Sequence, residues 1–347
     1  MKHVDYIVVG LGMAGIAFCE TLQKHNKSFV VYDTGSNHST LVSGGVFNPV
    51  VLKRFTAVWK GDAFLQKAIP FYHAVSERLQ LHILEKTPIY RVLNNIEEQN
   101  DWLVSSDKKA LSPFLSSEII KNENPSIKAP YGFGKVLQCG RIIPSKMIES
   151  YRELLQKNDE LITEEFEHEH LHLQGRGVSY KDVSAKKIVF AEGASVVKNP
   201  FFPTDNFVGN KGEYLIIKAP KLKCDAILKG PLFIIPFGND TYKVGATYSR
   251  DDFSKNTTEE ARKVLASKLE KMISCHYEIV DQVAGVRPTV KDRKPLLGNL
   301  EHENLLFLNG LGTRGILMAP LLAQWLFDYS ENNKSLPYEV NLARFKN

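Results

Sequence analysis

Apolar residues fall into two patterns along this chain: short unbroken runs closed by glycine or charge, and longer stretches spaced at three and four. The runs come first. Tyr6-Ile7-Val8-Val9 ends at Gly10, and Phe29-Val30-Val31-Tyr32 ends on Asp33, with a helix-like stretch reaching Lys24 between them. Each run has the length and β-branched content of a buried strand. Gly61 to Gln80 carries Phe64, Leu65, Ala68, Ile69, Tyr72, Val75 and Leu79, the stripe of an amphipathic helix in which Pro70 marks a kink. Residues 81–138 are irregular and proline-bearing, and read as strand and loop rather than a long helix. Ile188-Val189-Phe190-Ala191 returns as a buried strand ending at Glu192-Gly193-Ala194.

From Gly212 the pattern changes. Tyr214-Leu215-Ile216-Ile217, Leu232-Phe233-Ile234-Ile235 and Tyr242-Lys243-Val244 are short β-rich runs, and Gly238-Asn239-Asp240 supplies hairpin chemistry between the last two. A helix is expected to start at Thr257, with Thr257 and Glu260 as a capping box and Ala261, Val264, Leu265, Leu269 and Met272 as its buried stripe. Leu306-Phe307-Leu308-Asn309 then leads into an apolar helix, Ile316 to Leu326, with Pro320 in its first turns. This reads as an antiparallel sheet with helices spliced into an α/β unit.

Composition narrows the class without choosing a function. The 347 residues suffice for two domains, and an apolar fraction of 43% with 24% charged residues is ordinary for a globular protein. No apolar stretch approaches a membrane span, and the N-terminal run, broken by Asp5, is not a signal peptide. Cys19, Cys139, Cys224 and Cys275 make no CxxC or metal-ligand spacing. They read as reduced thiols of a cytoplasmic protein, which excludes the flavin disulfide reductases. The net charge of +5 permits an anionic partner without requiring one.

The candidate chemistry sits at the two ends. Gly10-Leu11-Gly12-Met13-Ala14-Gly15 follows the first strand, opens a helix, and is answered by an acid, Asp33, at the end of the second strand. Strand, glycine turn, helix, strand and acid in this order form the dinucleotide-binding βαβ pattern. The glycines serve a tight turn, backbone approach to a pyrophosphate and helix–strand packing, and Asp33 is placed to accept from a ribose hydroxyl. Ser43-Gly44-Gly45-Val46-Phe47-Asn48 is small and flexible enough to pass a flat ring, and the Ala191–Gly193 turn brings backbone toward the same ligand. A second glycine turn, Gly310-Leu311-Gly312-Thr313-Arg314-Gly315, precedes the last helix. There is no second GxGxxG for a separate nicotinamide.

On these motifs the chain resembles the D-amino-acid oxidase family of FAD-dependent oxidoreductases, which includes glycine and sarcosine oxidases. The matches are the N-terminal turn, Gly285-x-Arg287-Pro288 with Asp292, Pro295 and Gly298, and Gly310-x-Gly312-x-x-Gly315 with Ala319-Pro320. They span almost the whole chain in the family's order. The ending is also similar to that of the flavin domain of the bifunctional tRNA wobble-uridine enzyme. Leu311 departs from the glycine oxidase branch, which often has histidine there.

The resemblance implies an α/β fold: a Rossmann-like FAD-binding domain (1–80, 139–208 and 287–347) and a discontinuous α+β substrate domain on an antiparallel sheet (81–138 and 209–286). It implies FAD, held non-covalently because no cysteine lies between Ala284 and Pro320, where sarcosine oxidases attach their flavin. The cofactor set is Gly10, Gly12, Met13, Ala14, Gly15, Asp33, Thr34, Ser43, Gly44, Gly45, Asn48, Ala191, Gly193, Arg287, Gly310, Gly312, Thr313, Arg314, Gly315 and Ile316. Arg287, Arg314 and Tyr248 are the substrate candidates. A guanidinium meets a carboxylate with two parallel bonds, which favours substrate binding by Arg287 over the alternative of an ion pair with Asp292 or another acid. The implied reaction is oxidation of an amine carbon beside a carboxylate, with no side-chain base assigned. The same chemistry on tRNA and a flavin-binding subunit without turnover are the competing readings. Lys53, Arg54, Trp59 and Lys60 read as a solvated loop with one buried tryptophan more readily than as an RNA surface. His168, His170 and His172 alternate as a strand would present them, and an exposed polar strand is expected over a metal site.

Overall fold

The computed structural model describes residues 1–35, 39–175 and 177–345. The labelled elements, in chain order, are β1 (Lys2–Val9), α1 (Met13–Lys24), β2 (Phe29–Tyr32), α2 (Gly61–Leu79), α3 (Pro144–Lys157), β3 (Val183–Phe190) and β4 (Phe207–Lys218). There follow β5 (Phe233–Gly238), β6 (Thr241–Gly245), α4 (Glu259–Glu270), β7 (Glu278–Val290), β8 (Leu305–Asn309) and α5 (Gly315–Asn332).

The apolar runs at the two ends of the sequence become one sheet. Leu161–Ile162, β2, β1, β3 and β8 lie side by side and all run parallel. A parallel sheet is covered on both faces, which is why these strands read as unbroken apolar runs. One face buries α1, α2, α3 and α5 around Phe18, Phe64, Tyr72, Tyr151 and Leu322. The other carries an aromatic layer of Phe166, Tyr180, Phe190, Phe202 and Phe307.

The second sheet has nine strands in the order Ser249–Arg250, β4, β6, β5, Ile227–Lys229, Ile89–Val92, Phe133–Val136 and Leu115–Ile120, with β7 on the other side of β4. Its pairings are antiparallel except Ile227–Lys229 against Ile89–Val92. Leu215, Ile217, Tyr242 and Val244 face a core closed by Leu265 and Leu269 of α4. Side chains alternate along a strand, so Gly212, Tyr214 and Ile216, with their cross-strand partners Gly285, Gly245 and Lys243, face the opposite way, toward the parallel sheet's helices. The fold is thus the expected α/β architecture with a second, mostly antiparallel sheet.

Three local expectations are corrected. First, α4 starts one residue later, with Thr258 as its cap accepting from the Ala261 amide at 3.2 Å. The acid that answers the cap's own N–H is not Glu260 but Glu213 of β4, at 2.8 Å. Val264 is on the exposed side. Second, residues 81–138 include a helix, Ile96–Ser106, capped by Asn95. It buries only Trp102, Ser105 and Ser106, so it leaves no apolar stripe for periodicity to register. Third, His168–His170 form a 3-10 turn rather than a strand. His168 turns inward to Glu192 at 2.8 Å, His170 pairs with Glu167, and only His172 lies on a strand. Among the described residues no cluster has the makings of a metal site, and no helix is long and apolar enough to cross a membrane.

Candidate functional site

Three chain segments converge where β1, β3 and β8 end. A Cβ on Gly10 would stand 2.7 Å from the Ala191 carbonyl oxygen, and one on Gly15 would stand 2.0 Å from the Gly10 carbonyl oxygen. Only hydrogen fits at either position, so these two glycines close the turn against the end of β3. Gly12 is different: with φ −77° and ψ −165° its backbone is open to any residue, so the turn itself makes no demand for glycine there. From the far end of the chain, Gly315 comes close enough that its Cβ would lie 3.9 Å from that of Met13. Asn309 donates to the Gly193 carbonyl at 3.0 Å and accepts from the Gly310 amide at 2.7 Å, joining the last turn to the middle one.

Both glycine turns launch helices that lack a side-chain cap and an acidic residue in the first turn. The two helices that pack on the second sheet, by contrast, are capped by Asn95 and Thr258 and carry glutamates at their starts. Around Met13 and Ala14, and again around Ile316, the helix ends present amides and a positive dipole end, an arrangement suited to an anionic phosphate or a reduced ring. Met13 donates to the Thr40 hydroxyl at 3.3 Å. Asp33 is buried at the tip of β2, accepting from the amides of Leu11 and Gly35 at 2.8 Å each and pairing with Arg152 of α3. Thr34 follows it. The residues present therefore fit a dinucleotide: a turn closed tightly by Gly10 and Gly15, an acid at the end of β2, and two helix starts with neither a side-chain cap nor an acidic residue.

The α5 turn has one further device. Pro320 lacks the N–H that would close onto Ile316, and the fully buried Tyr72 of α2 donates its hydroxyl to the Ile316 carbonyl at 2.6 Å instead. Burial pushes the Tyr72 phenol well above its ordinary range, so it stays a donor. Gly312–Arg314 form a 3-10 turn beside it. Arg314 donates to the carbonyls of Asn48 and Val50, at 3.0 and 3.3 Å, and burial lowers it to about 10. Asn48 is buried and accepts from the Val50 amide. Thr313 is exposed.

The loop carrying Ser43, Gly44 and Gly45 packs onto the second sheet. A Cβ on Gly44 would stand 2.2 Å from Ile235 Cδ1, and Gly285 of β7 abuts Val42. The same sheet face carries Arg287. Its guanidinium lies flat over Gly212, where a Cβ would meet it at 2.1 Å. It donates to Asn210 Oδ1 and the Thr247 carbonyl at 3.5 and 3.3 Å, and its carbon stands 4.6 Å from the centre of the largely exposed Tyr248 ring. Asp292, the alternative partner, pairs with Arg344. Among the described residues no carboxylate pairs with Arg287.

Sequence reasoning missed several neighbours. Tyr214 lies over Gly245 as Arg287 lies over Gly212. Lys243, buried on β6, reaches the Ser43 carbonyl at 3.4 Å, with its nitrogen 5.3 Å from the Tyr214 ring and 5.4 Å from Phe237. Burial lowers it to about 8, with Asp281 opposing and Arg141 adding to the effect. The signal was a lysine inside an apolar strand. Lys211 and Glu213 are likewise buried on β4. Glu213 holds Thr258 and Gln282, and Thr247 Oγ1 accepts from the Glu213 amide, fixing the segment whose carbonyl orients Arg287. Lys53 and Arg54 are exposed, while Trp59 packs with Phe64 and Trp325 beneath Lys60 and Lys294.

A family model described as DAO, FAD dependent oxidoreductase, matches residues 5–329. Glycine oxidase of Bacillus subtilis is 24% identical over 96% of this chain and 94% of its own length. The tRNA 5-methylaminomethyl-2-thiouridine biosynthesis bifunctional protein of Campylobacter concisus is 25% identical over 88% of this chain, but only 48% of its own length is covered. Among solved structures, glycine oxidase from Geobacillus kaustophilus superposes with a TM-score of 0.80 at 17% identity, covering 99% of this chain and 98% of that one. The L-proline dehydrogenase from P. horikoshii gives 0.78 at 15% identity, with 99% and 98% covered.

Proposed function

The chain belongs to the DAO family of FAD-dependent oxidoreductases, and from that premise we propose that it oxidises the carbon–nitrogen bond of a small amine bearing a carboxylate. Bound FAD would supply the hydride acceptor at the seam between the two sheets, held non-covalently. The protein's part is to bind and orient. In this reading Gly12 leaves room for the pyrophosphate, Asp33 faces the adenosine ribose, and the amides starting α1 and α5 meet the phosphates and the ring. Arg287 clamps the carboxylate and so fixes the carbon to be oxidised, with Tyr248 over its outer side. An amine that arrives neutral needs no side-chain base, and the resulting imine hydrolyses in water.

The observation that carries this reading is Arg287 itself. A guanidinium bonded to neutral acceptors alone, flattened on a sheet face that meets the Ser43–Gly45 loop, is a charge awaiting its counter-ion. The test is Arg287→Leu. The variant should still bind FAD, while anaerobic bleaching by glycine, sarcosine, D-alanine or D-proline weakens roughly ten- to a hundredfold. Carboxylate inhibitors should lose affinity in parallel. Unchanged kinetics would move the clamp away from Arg287. A wild-type protein that takes up no FAD, or whose flavin stays on the denatured chain, would refute the cofactor assignment or its non-covalent mode.

A second reading, oxidation of the same N–CH2–COO⁻ unit on a tRNA base, is favoured by one observation. Lys53 and Arg54 stand exposed between Val50–Val51 and Thr56–Ala57, on the hairpin that receives Arg314. Flavin reduction only by tRNA bearing carboxymethylaminomethyluridine, lost at high salt, would establish it over the first.

A further inference from the structure

We infer that the substrate site is built for an amine with a carboxylate on each side of its nitrogen, one held by Arg287 and the other by Lys243. The inference rests on the amine-oxidising reading above and specifies its substrate class.

The two cations share one face of the second sheet. On β4, Gly212 and Tyr214 are two residues apart, roughly 6.6–6.8 Å along the strand. The Arg287 guanidinium covers the first and the Tyr214 ring occupies the second, with the Lys243 nitrogen 5.3 Å from that ring. The resulting row is cation, aromatic, cation. Both glycines that flank it, Gly212 and Gly245, are places where a side chain would collide with Arg287 or Tyr214, so these two side chains lie close on the sheet face.

Neither cation has a carboxylate within ion-pair distance among the described residues. Lys243 is the more conspicuous, at 5% exposed with the Ser43 carbonyl and two ring faces beside it. Arg141, the cation that acts on it, is already matched by Glu85. Asp281, the acid that favours its charge, lies across β4, opposite the same Ile216. A buried cation without a counter-ion is costly, and a second carboxylate answers it. In an iminodicarboxylate, four bonds of about 1.5 Å separate the two carboxylate carbons. Such a ligand would set one carboxylate at Arg287, with its nitrogen over Tyr214 and the other carboxylate at Lys243.

The test compares thiodiacetate with (methylthio)acetate, in which sulfur replaces the nitrogen, by flavin difference spectra of the oxidised holoenzyme. It also compares iminodiacetate with sarcosine as anaerobic reductants. Wild-type protein should favour the two-carboxylate member of each pair by about 10- to 100-fold, and Lys243→Met should collapse that ratio while Lys243→Arg retains most of it. A wild-type protein indifferent to the second carboxylate overturns the inference, as does a ratio untouched in Lys243→Met. So does a Lys243→Met protein in which only reoxidation by oxygen is slowed, which would assign the lysine to the electron acceptor. If no amine reduces the flavin and Arg287→Leu changes nothing, the amine reading fails first. Single-carboxylate substrates that work as well as iminodiacetate overturn only this inference.

Discussion

Tyr72 and Pro320 make a prediction that can be worked through from the structure. Pro320 removes one helical donor from α5, and the Tyr72 hydroxyl replaces it at the Ile316 carbonyl, 2.6 Å away and fully buried. Tyr72→Phe keeps the ring, so it opens little cavity, and its cost is that of a buried carbonyl left unpaired, about 1–3 kcal/mol. With an unfolding entropy of about 2.1 cal/mol/K per residue, each kcal/mol shifts the melting temperature of a chain this long by about 1.4 °C. The expected loss is therefore about 1.5–4 °C. The decisive measurement is a double-mutant cycle on the FAD-free protein. Pro320→Ala restores an N–H at the right position, so in that background Tyr72→Phe should cost well under half as much. The coupling should be about 1 kcal/mol or more. Equal costs in the two backgrounds would show that the hydroxyl does not stand in for the missing helical donor.

Three further outcomes follow from the geometry. Gly212→Ala puts a methyl where the Arg287 guanidinium lies; because the colliding atoms are the end of a flexible side chain, stability should move by less than about 1 kcal/mol while carboxylate-inhibitor affinity falls at least as far as it does in Arg287→Leu. Gly12→Val should give a folded, colourless protein, since the backbone there accepts a side chain but the expected pyrophosphate does not; circular dichroism beside flavin absorbance checks it, and a yellow variant would refute the cradle. Burial raises Glu331, but hydrogen bonds from Lys27, Tyr6 and Lys187 outweigh it and hold the carboxyl at about 2. Its folded pKa is depressed from 4.5, so its contribution is whole above about pH 4.5 and lost as pH falls toward 2. Urea titrations across that window should show a shallower acid limb in Glu331→Gln than in wild type.

What was legible in the sequence is what one stretch of chain decides alone. The unbroken runs at Tyr6, Phe29 and Leu306 announced a parallel sheet because strands buried on both faces need no polar alternation. The turn chemistry at Asn239 and Asp240, both at positive φ, announced its hairpin. The cap of α4 was misplaced by one residue because its acid, Glu213, comes from 45 positions away. Arg287 was named from a motif and Tyr248 from its place on the expected sheet, where Tyr214 was read as packing; Lys243 was not named, since its significance lies in cross-strand register. Arg152, which grips Asp33 from α3, was unseen for the same reason.

The cradle is assembled from segments far apart in the sequence. Strand β1 pairs with β3, β3 pairs with β8, and the Tyr6 hydroxyl meets Ser330 and Glu331 at the end of α5. During synthesis, then, the first glycine turn waits until the chain has grown to Gly315 before its other half exists. A nascent fragment that stops short of Gly310 lacks the closed site. Contacts this distant in sequence also form slowly. A ligand that binds only the closed site then draws the folding equilibrium toward it by mass action.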